Sequence, residues 1–256
     1  METMRYLLTN DDGIYARGLS ALHRELSRDA ECLIVAPEIE QSAVGHAITL
    51  LRPLMVRRAK KDGEFFGHAV LGTPADCVKL GIRELCGGPI DLVVSGINRG
   101  ANVGINVLYS GTVSAATEAA ILGVPAMAVS LDTHREADYT VAARLARRLA
   151  VWMTGNGLGR GVALNVNIPA LPEDQIRGIV VARQGRARLM ESFERRVDPR
   201  EHEYYWLAGE TRLAADEEPD SDASALKRGM VTITPIDYDL TCHPCLDDLK
   251  GLIARI

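Results

Sequence analysis

The chain has 256 residues, 47% hydrophobic and 25% charged, a balance that suits a folded globular protein with a sizeable core. A net charge of -5 argues against a broad electrostatic surface for a nucleic-acid polymer, and no apolar run approaches the ~20 residues of a membrane helix. The first residues lack the basic, apolar and small-residue segments of a signal peptide, and five widely spaced cysteines suggest reduced thiols, so a cytoplasmic protein is expected.

Residues 5–9 (RYLLT) read as a short buried strand, and residues 17–28 place Leu19, Leu22 and Leu26 at helical spacing. A second strand (32–36, CLIVA) stops at Pro37, completing a β-α-β unit that implies a parallel sheet. A helix over 74–86 follows Thr73-Pro74, a cap and first-turn pair, with Asp76 where a capping-box acid belongs. Then come strand 90–95, a small-residue helix over 112–122 ended by Gly123, strand 126–131, helix 138–153 and strand 162–168. Trp152 at helical spacing reads as core. This alternation fits an α/β fold: a Rossmann-like, mostly parallel sheet flanked by helices. Beyond residue 170 the pattern breaks. Strand-like pieces rich in arginine and aromatics (179–213, including Trp206) suit a protruding C-terminal β-hairpin or dimerisation arm. Residues 214–224 read as an exposed acidic loop, and 230–236 as a strand. Cys242-His-Pro-Cys245 has C-x-x-C spacing but no second pair, which is weak evidence for zinc or redox chemistry.

In open α/β sheets, ligands bind at the carboxyl ends of the strands. Here those ends carry Asn10-Asp11-Asp12-Gly13, then Ser42, Gly45 and His46, then Asn98 and Asn102. Ser110-Gly111-Thr112 follow where a helix begins, a place that favours phosphate. Asp12-Gly13 is also a turn signal, so the acid pair alone is ambiguous. Two adjacent carboxylates repel unless a proton or a cation neutralises them. A hard divalent ion suits them, with Ser42 and Asn98 able to add neutral oxygens. The chain has no P-loop, no dinucleotide fingerprint, no G-x-S-x-G elbow and no H-E-x-x-H. Metal-assisted hydrolysis of a phosphate ester is the expectation. His46 is a candidate acid for the leaving group, and Tyr109 a candidate stacking surface for a base. Two other readings are an aspartyl-phosphate intermediate on Asp11 or Asp12, and a nucleotide or metal sensor without turnover.

The stretches LLTNDDGIYARGLSAL, VAPEIEQSAVGHAIT, GTPADCVKLGI and DLVVSGINRGANVGINVLYSGTVSAATEAAILGVPAMAVS resemble the SurE family, stationary-phase survival proteins with 5'-nucleotidase activity. The likeness covers most of residues 4–131 and returns at 229–241. It implies one SurE-like domain over 1–256, with a core to about residue 170 and an oligomerisation segment beyond. It also implies a nucleoside 5'-monophosphate substrate, with 3'-nucleotides and short polyphosphate left open as further substrates, one divalent ion (Mg²⁺ or Mn²⁺) per subunit, and a homodimer or homotetramer. The family's metal ligands map onto Asp11, Asp12, Ser42 and Asn98, and its phosphate contacts onto Ser110, Gly111 and Thr112. Asn10, Gly45, His46 and Asn102 are the remaining candidate substrate contacts. Ala43 stands where many members have glycine.

Overall fold

The computed structural model describes residues 3–156, 161–212 and 218–253. The apolar runs at the N-terminus become β1 (Arg5–Thr9) and β2 (Glu31–Pro37), joined by α1 (Arg17–Leu26) and paired in parallel with Leu7 opposite Leu33. A hairpin that periodicity did not disclose follows, β3 (Val56–Lys61) and β4 (Glu64–Val70). Its two-residue turn is Asp62-Gly63, both at positive φ, as a tight hairpin requires. β3 buries only Ala59 and otherwise carries mostly Arg and Lys, a composition that blunts an exposed sheet edge.

α2 (Pro74–Leu80) opens with the full capping box: Thr73 Oγ1 accepts from the Asp76 N–H, and Asp76 accepts from the Thr73 N–H. The chain continues through a π turn (Gly81–Leu85) into β5 (Leu92–Arg99). A 3-10 turn (Gly104–Tyr109) leads to α3 (Gly111–Ile121), β6 (Ala126–Asp132), α4 (Thr140–Asn156) and β7 (Val162–Pro169). After β8 (Ile179–Val181) come β9 (Arg188–Val197), β10 (Glu203–Arg212), α5 (Asp222–Lys227), β11 (Val231–Asp237) and α6 (Leu246–Ile253).

The nine-stranded sheet runs β3-β4-β2-β1-β5-β6-β7-β11-β8. The six strands from β4 to β7 are mutually parallel. β3 is antiparallel at one edge, while β11 runs antiparallel to β7 and carries β8 parallel beside it. From β1 the chain moves outward to β2, and from β5 it moves the other way to β6. The order therefore reverses between β1 and β5, and such a reversal opens a crevice at the strand ends.

Both sheet faces are covered. α1 and α4 bury Leu19, Leu22, Ala146 and Met153 against Tyr6 and Leu8 on one face. α2 and α3 bury Val78, Val113, Ala116 and Ala119 against Leu7 on the other. Successive residues of β1 thus face opposite layers, which explains its unbroken apolar run. At Gly18 an added Cβ would lie 2.0 Å from the Ile97 carbonyl oxygen, so the start of α1 presses directly on the end of β5.

The tail combines two arrangements. β9 and β10 pair with each other as a separate hairpin, while β8 and β11 extend the main sheet. Three expectations change. Trp152 is half exposed on α4 rather than core. In the acidic stretch, residues 213–217 lie outside the described residues, but Asp222 is fully buried at the start of α5. Cys242 and Cys245 are joined in a disulfide, leaving Cys32, Cys77 and Cys86 as free thiols. Among the described residues, no helix is long and apolar enough to cross a membrane.

Candidate active site

The crevice between β1 and β5 gathers the polar strand ends. β1 ends at Thr9, and Asn10 Nδ2 reaches back to the Gly13 carbonyl at 2.9 Å, closing the turn that carries Asp11 and Asp12. Three backbone bonds draw the loop after β2 over this turn and toward α3. Ile14 donates to Pro37, Gln41 donates to Asp11, and Gly45 donates to Tyr109 just before α3. Ser42 is thereby held on the aspartate turn, its hydroxyl 2.5 Å from Glu40 Oε1. Asn98 comes from the end of β5 and spends its amide N–H on the Gly100 carbonyl at 2.7 Å, leaving Oδ1 as an acceptor.

Asp11 lies against the N-terminus of α3. It accepts from the Thr112 hydroxyl. The fit is close, because a Cβ on Gly111 would stand 2.8 Å from Asp11 Cβ and 3.0 Å from Oδ2. Asp12 lies on the other side of the turn, where the Arg99 N–H reaches its Oδ2 at 3.4 Å. Burial raises the pKa of both carboxyls, and the charge of Asp11 helps push Asp12 up to about 6. Glu40 adds a third negative charge that acts on both.

No Lys, Arg or His among the described residues forms an ion pair with Asp11 or Asp12. Thr9 Oγ1 and Asn10 Oδ1, at the end of β1, and Ser95 Oγ, opposite Thr9 within β5, are buried without a hydrogen-bond partner. The Arg99 charge offsets the repulsion at Asp12 only in part, since that carboxyl is still pushed up to about 6. Like charges held together without a direct ion pair, close to orphaned oxygens, fit a site completed by a hard divalent ion. The described residues contain no group of three or more His, Cys, Asp or Glu suited to a metal. Any such ion would therefore take two carboxylates and neutral oxygens, the donors that Asp11, Asp12, Ser42 and Asn98 offer.

The family model for "Survival protein SurE" matches residues 6–191. The chain belongs to the SurE family. It is 70% identical over 252 residues to a protein of Syntrophus aciditrophicus named 5'-nucleotidase SurE, spanning 98% of this chain and 95% of that one. A protein of the same name from Syntrophobacter fumaroxidans is 52% identical over 246 residues, 96% of this chain and 98% of that one. The crystal structure of the SurE protein from Aquifex aeolicus superposes with a TM-score of 0.83 at 37% identity, covering 97% of this chain and 99% of that one.

Not every SurE-like position lies at the aspartate turn. His46 Nε2 sits 2.8 Å from Glu118 Oε2, a buried carboxylate that Lys79 also engages. Glu118 is seven residues beyond Gly111, about 10 Å along the helix axis, so the imidazole is tied to the flank of α3 rather than its end. Asn102 donates from Nδ2 to Ser130 at 2.8 Å, while its backbone bonds Asn165 and Asn167, a buried polar node between β6 and β7. Ser110 Oγ caps α3 by accepting from the Val113 N–H. Tyr109 is exposed before α3. Sequence reasoning missed Glu40, Arg99, Glu118 and Tyr139. Glu40, two residues before Ser42, and Arg99, next to Asn98, had local cues; Glu118 and Tyr139 arrive from distant segments.

Proposed function

We propose that this chain is a divalent-metal-dependent phosphatase that hydrolyses nucleoside 5'-monophosphates to nucleoside and phosphate. One observation carries the reading: a carboxylate pair without a direct ion-pair partner among the described residues, set between two strand ends and beside the N-terminus of α3. The full-length likeness to proteins named 5'-nucleotidase SurE supports it.

Asp11, Asp12, Ser42 and Asn98 would hold the ion, which when bound supplies charge neutralisation at the phosphoryl group. The rest is work for the chain's own groups. In the first turn of α3, the Val113 N–H is taken by Ser110, and the Thr112 hydroxyl donates to Asp11. The Gly111 N–H is left for a phosphoryl oxygen, where the helix dipole favours negative charge. Thr112 fixes Asp11, and the Arg99 N–H fixes Asp12, so both carboxylates are oriented before substrate arrives. We further read Mg²⁺ or Mn²⁺ as the ion, the cytoplasm as the setting, and a homodimer or homotetramer as the assembly. In this reading the segment beyond about residue 170 serves oligomerisation.

The test is phosphate release from a panel of nucleoside monophosphates. Metal-stripped protein, protein restored with Mg²⁺ or Mn²⁺, and Asp12→Asn restored likewise are compared. Release that needs metal and vanishes in Asp12→Asn is expected. Folded protein that releases nothing with either ion would leave a binding protein without turnover.

A further inference from the structure

Asp12 also borders a space that the phosphoryl chemistry does not use. On the α1 side of the strand ends lies a cavity of about 190 Å³, walled in part by Asp12, Arg17, Glu40, Arg99, Glu136 and Tyr139. A second cavity of about 350 Å³ shares Arg17, Glu136 and Tyr139 with the first and adds Arg24 and Asp138. The two lie side by side across these shared residues, a trench that leads outward from Asp12 between the start of α1 and the segment before α4. Tyr139 is buried, whereas Arg17 and Glu136 stand exposed and pair at 3.2 Å.

The lining selects the occupant. Arg17, Arg24 and Arg99 are set among Asp12, Glu40, Glu136 and Asp138. A run of further phosphates would meet carboxylates at each step, and an acyl chain would find mostly charged walls. A neutral group with hydroxyl donors, ring acceptors and a flat face meets a partner everywhere. Carboxylates accept from sugar hydroxyls, and guanidinium groups donate to ring nitrogens or stack on the ring. Asp12 is common to the candidate metal site and the trench, so an ester held at one leads into the other.

Resting on the phosphatase reading above, we propose that this trench is the nucleoside subsite, with Arg17 and Glu136 as specificity-determining contacts on the leaving group.

Both residues are exposed, so Arg17→Ala and Glu136→Gln should leave the fold intact, checked by thermal melting. The first readout is the ratio of kcat/KM for adenosine monophosphate to kcat/KM for p-nitrophenyl phosphate. The second is the affinity for adenosine alone, by calorimetric titration. Each variant is expected to lower the ratio about tenfold and weaken adenosine to a similar degree, the scale of one lost charge-assisted hydrogen bond. An unchanged ratio with unchanged adenosine affinity in both variants overturns the subsite. Wild-type protein that binds adenosine through these residues yet hydrolyses neither ester would keep the subsite and sink the phosphatase reading.

Discussion

A methyl group at Gly111 would approach Asp11 Cβ to 2.8 Å and Pro74 Cγ to 3.1 Å, and neither neighbour is a flexible chain end. Gly111→Ala must therefore displace the aspartate turn or the start of α3. Displacements of about 1 Å at a catalytic group cost on the order of a hundredfold in rate. Phosphate release should fall by about that factor while the circular dichroism spectrum stays native. Wild-type turnover in Gly111→Ala would contradict the packing.

Glu118 gives a pH prediction. Burial raises its pKa, but the bonds from His46 and Lys79 outweigh burial and hold it below the ordinary 4.5. A carboxyl depressed by folding stabilises the native state fully above its unfolded pKa, and that contribution is lost as pH falls through the folded value. Wild type should therefore exceed Glu118→Gln in urea midpoint near neutrality, and the gap should close as the pH drops below 4.5. A gap independent of pH would mean the carboxylate charge does not matter. The free thiols give a second check. Burial pushes Cys32 and Cys86 to about 11 and Cys77 well above 9.0. Thiolate is the reactive form, so iodoacetamide at about pH 8 should label all three only after denaturation, as mass spectrometry would show.

At the scale of elements, α2 depends on one carboxylate. Asp76 accepts from the Thr73 N–H, the Thr49 N–H and the Thr49 hydroxyl, so it both caps the helix and pins the loop after Ser42. Thr73→Ala should cost about 1 kcal/mol, the usual loss of an N-cap, whereas Asp76→Ala orphans three donors and should cost about 3 kcal/mol. Urea denaturation that reversed this order would refute the assignment. The cap was legible in the sequence because Thr-Pro-x-Asp acts within four residues. So was the sheet from β1 to β7 apart from its β3-β4 hairpin, since buried parallel strands read as unbroken apolar runs. The hairpin was lost because β3 buries a single alanine, even though Asp62-Gly63 announced its turn. Asp11, Asp12, Ser42 and Asn98 could be gathered from strand ends alone. Tyr139 and Glu118 could not, for their places depend on how α4 and α3 pack across the sheet.

For the molecule as a whole, the β9-β10 hairpin sets Phe193 opposite Leu207, both more than half exposed in the single chain. Exposed apolar pairs of this kind mark association surfaces. If the proposed homo-oligomer forms through this hairpin, Phe193→Glu with Leu207→Glu should lower the mass measured by light scattering and leave the secondary structure unchanged. An unaltered mass would mean that this pair is not an association surface.

The position of β11 has a consequence for biosynthesis. β7 ends at Pro169, but the strand that covers its outer edge begins only at Val231. A ribosome adding ~5–20 residues per second leaves that edge bare for several seconds, its backbone donors and acceptors open to any passing strand. Chains truncated anywhere between the two strands would keep it bare permanently. Such fragments should accumulate in inclusion bodies and be the forms that chaperones retain, whereas a chain that has passed Asp237 can seal its own sheet.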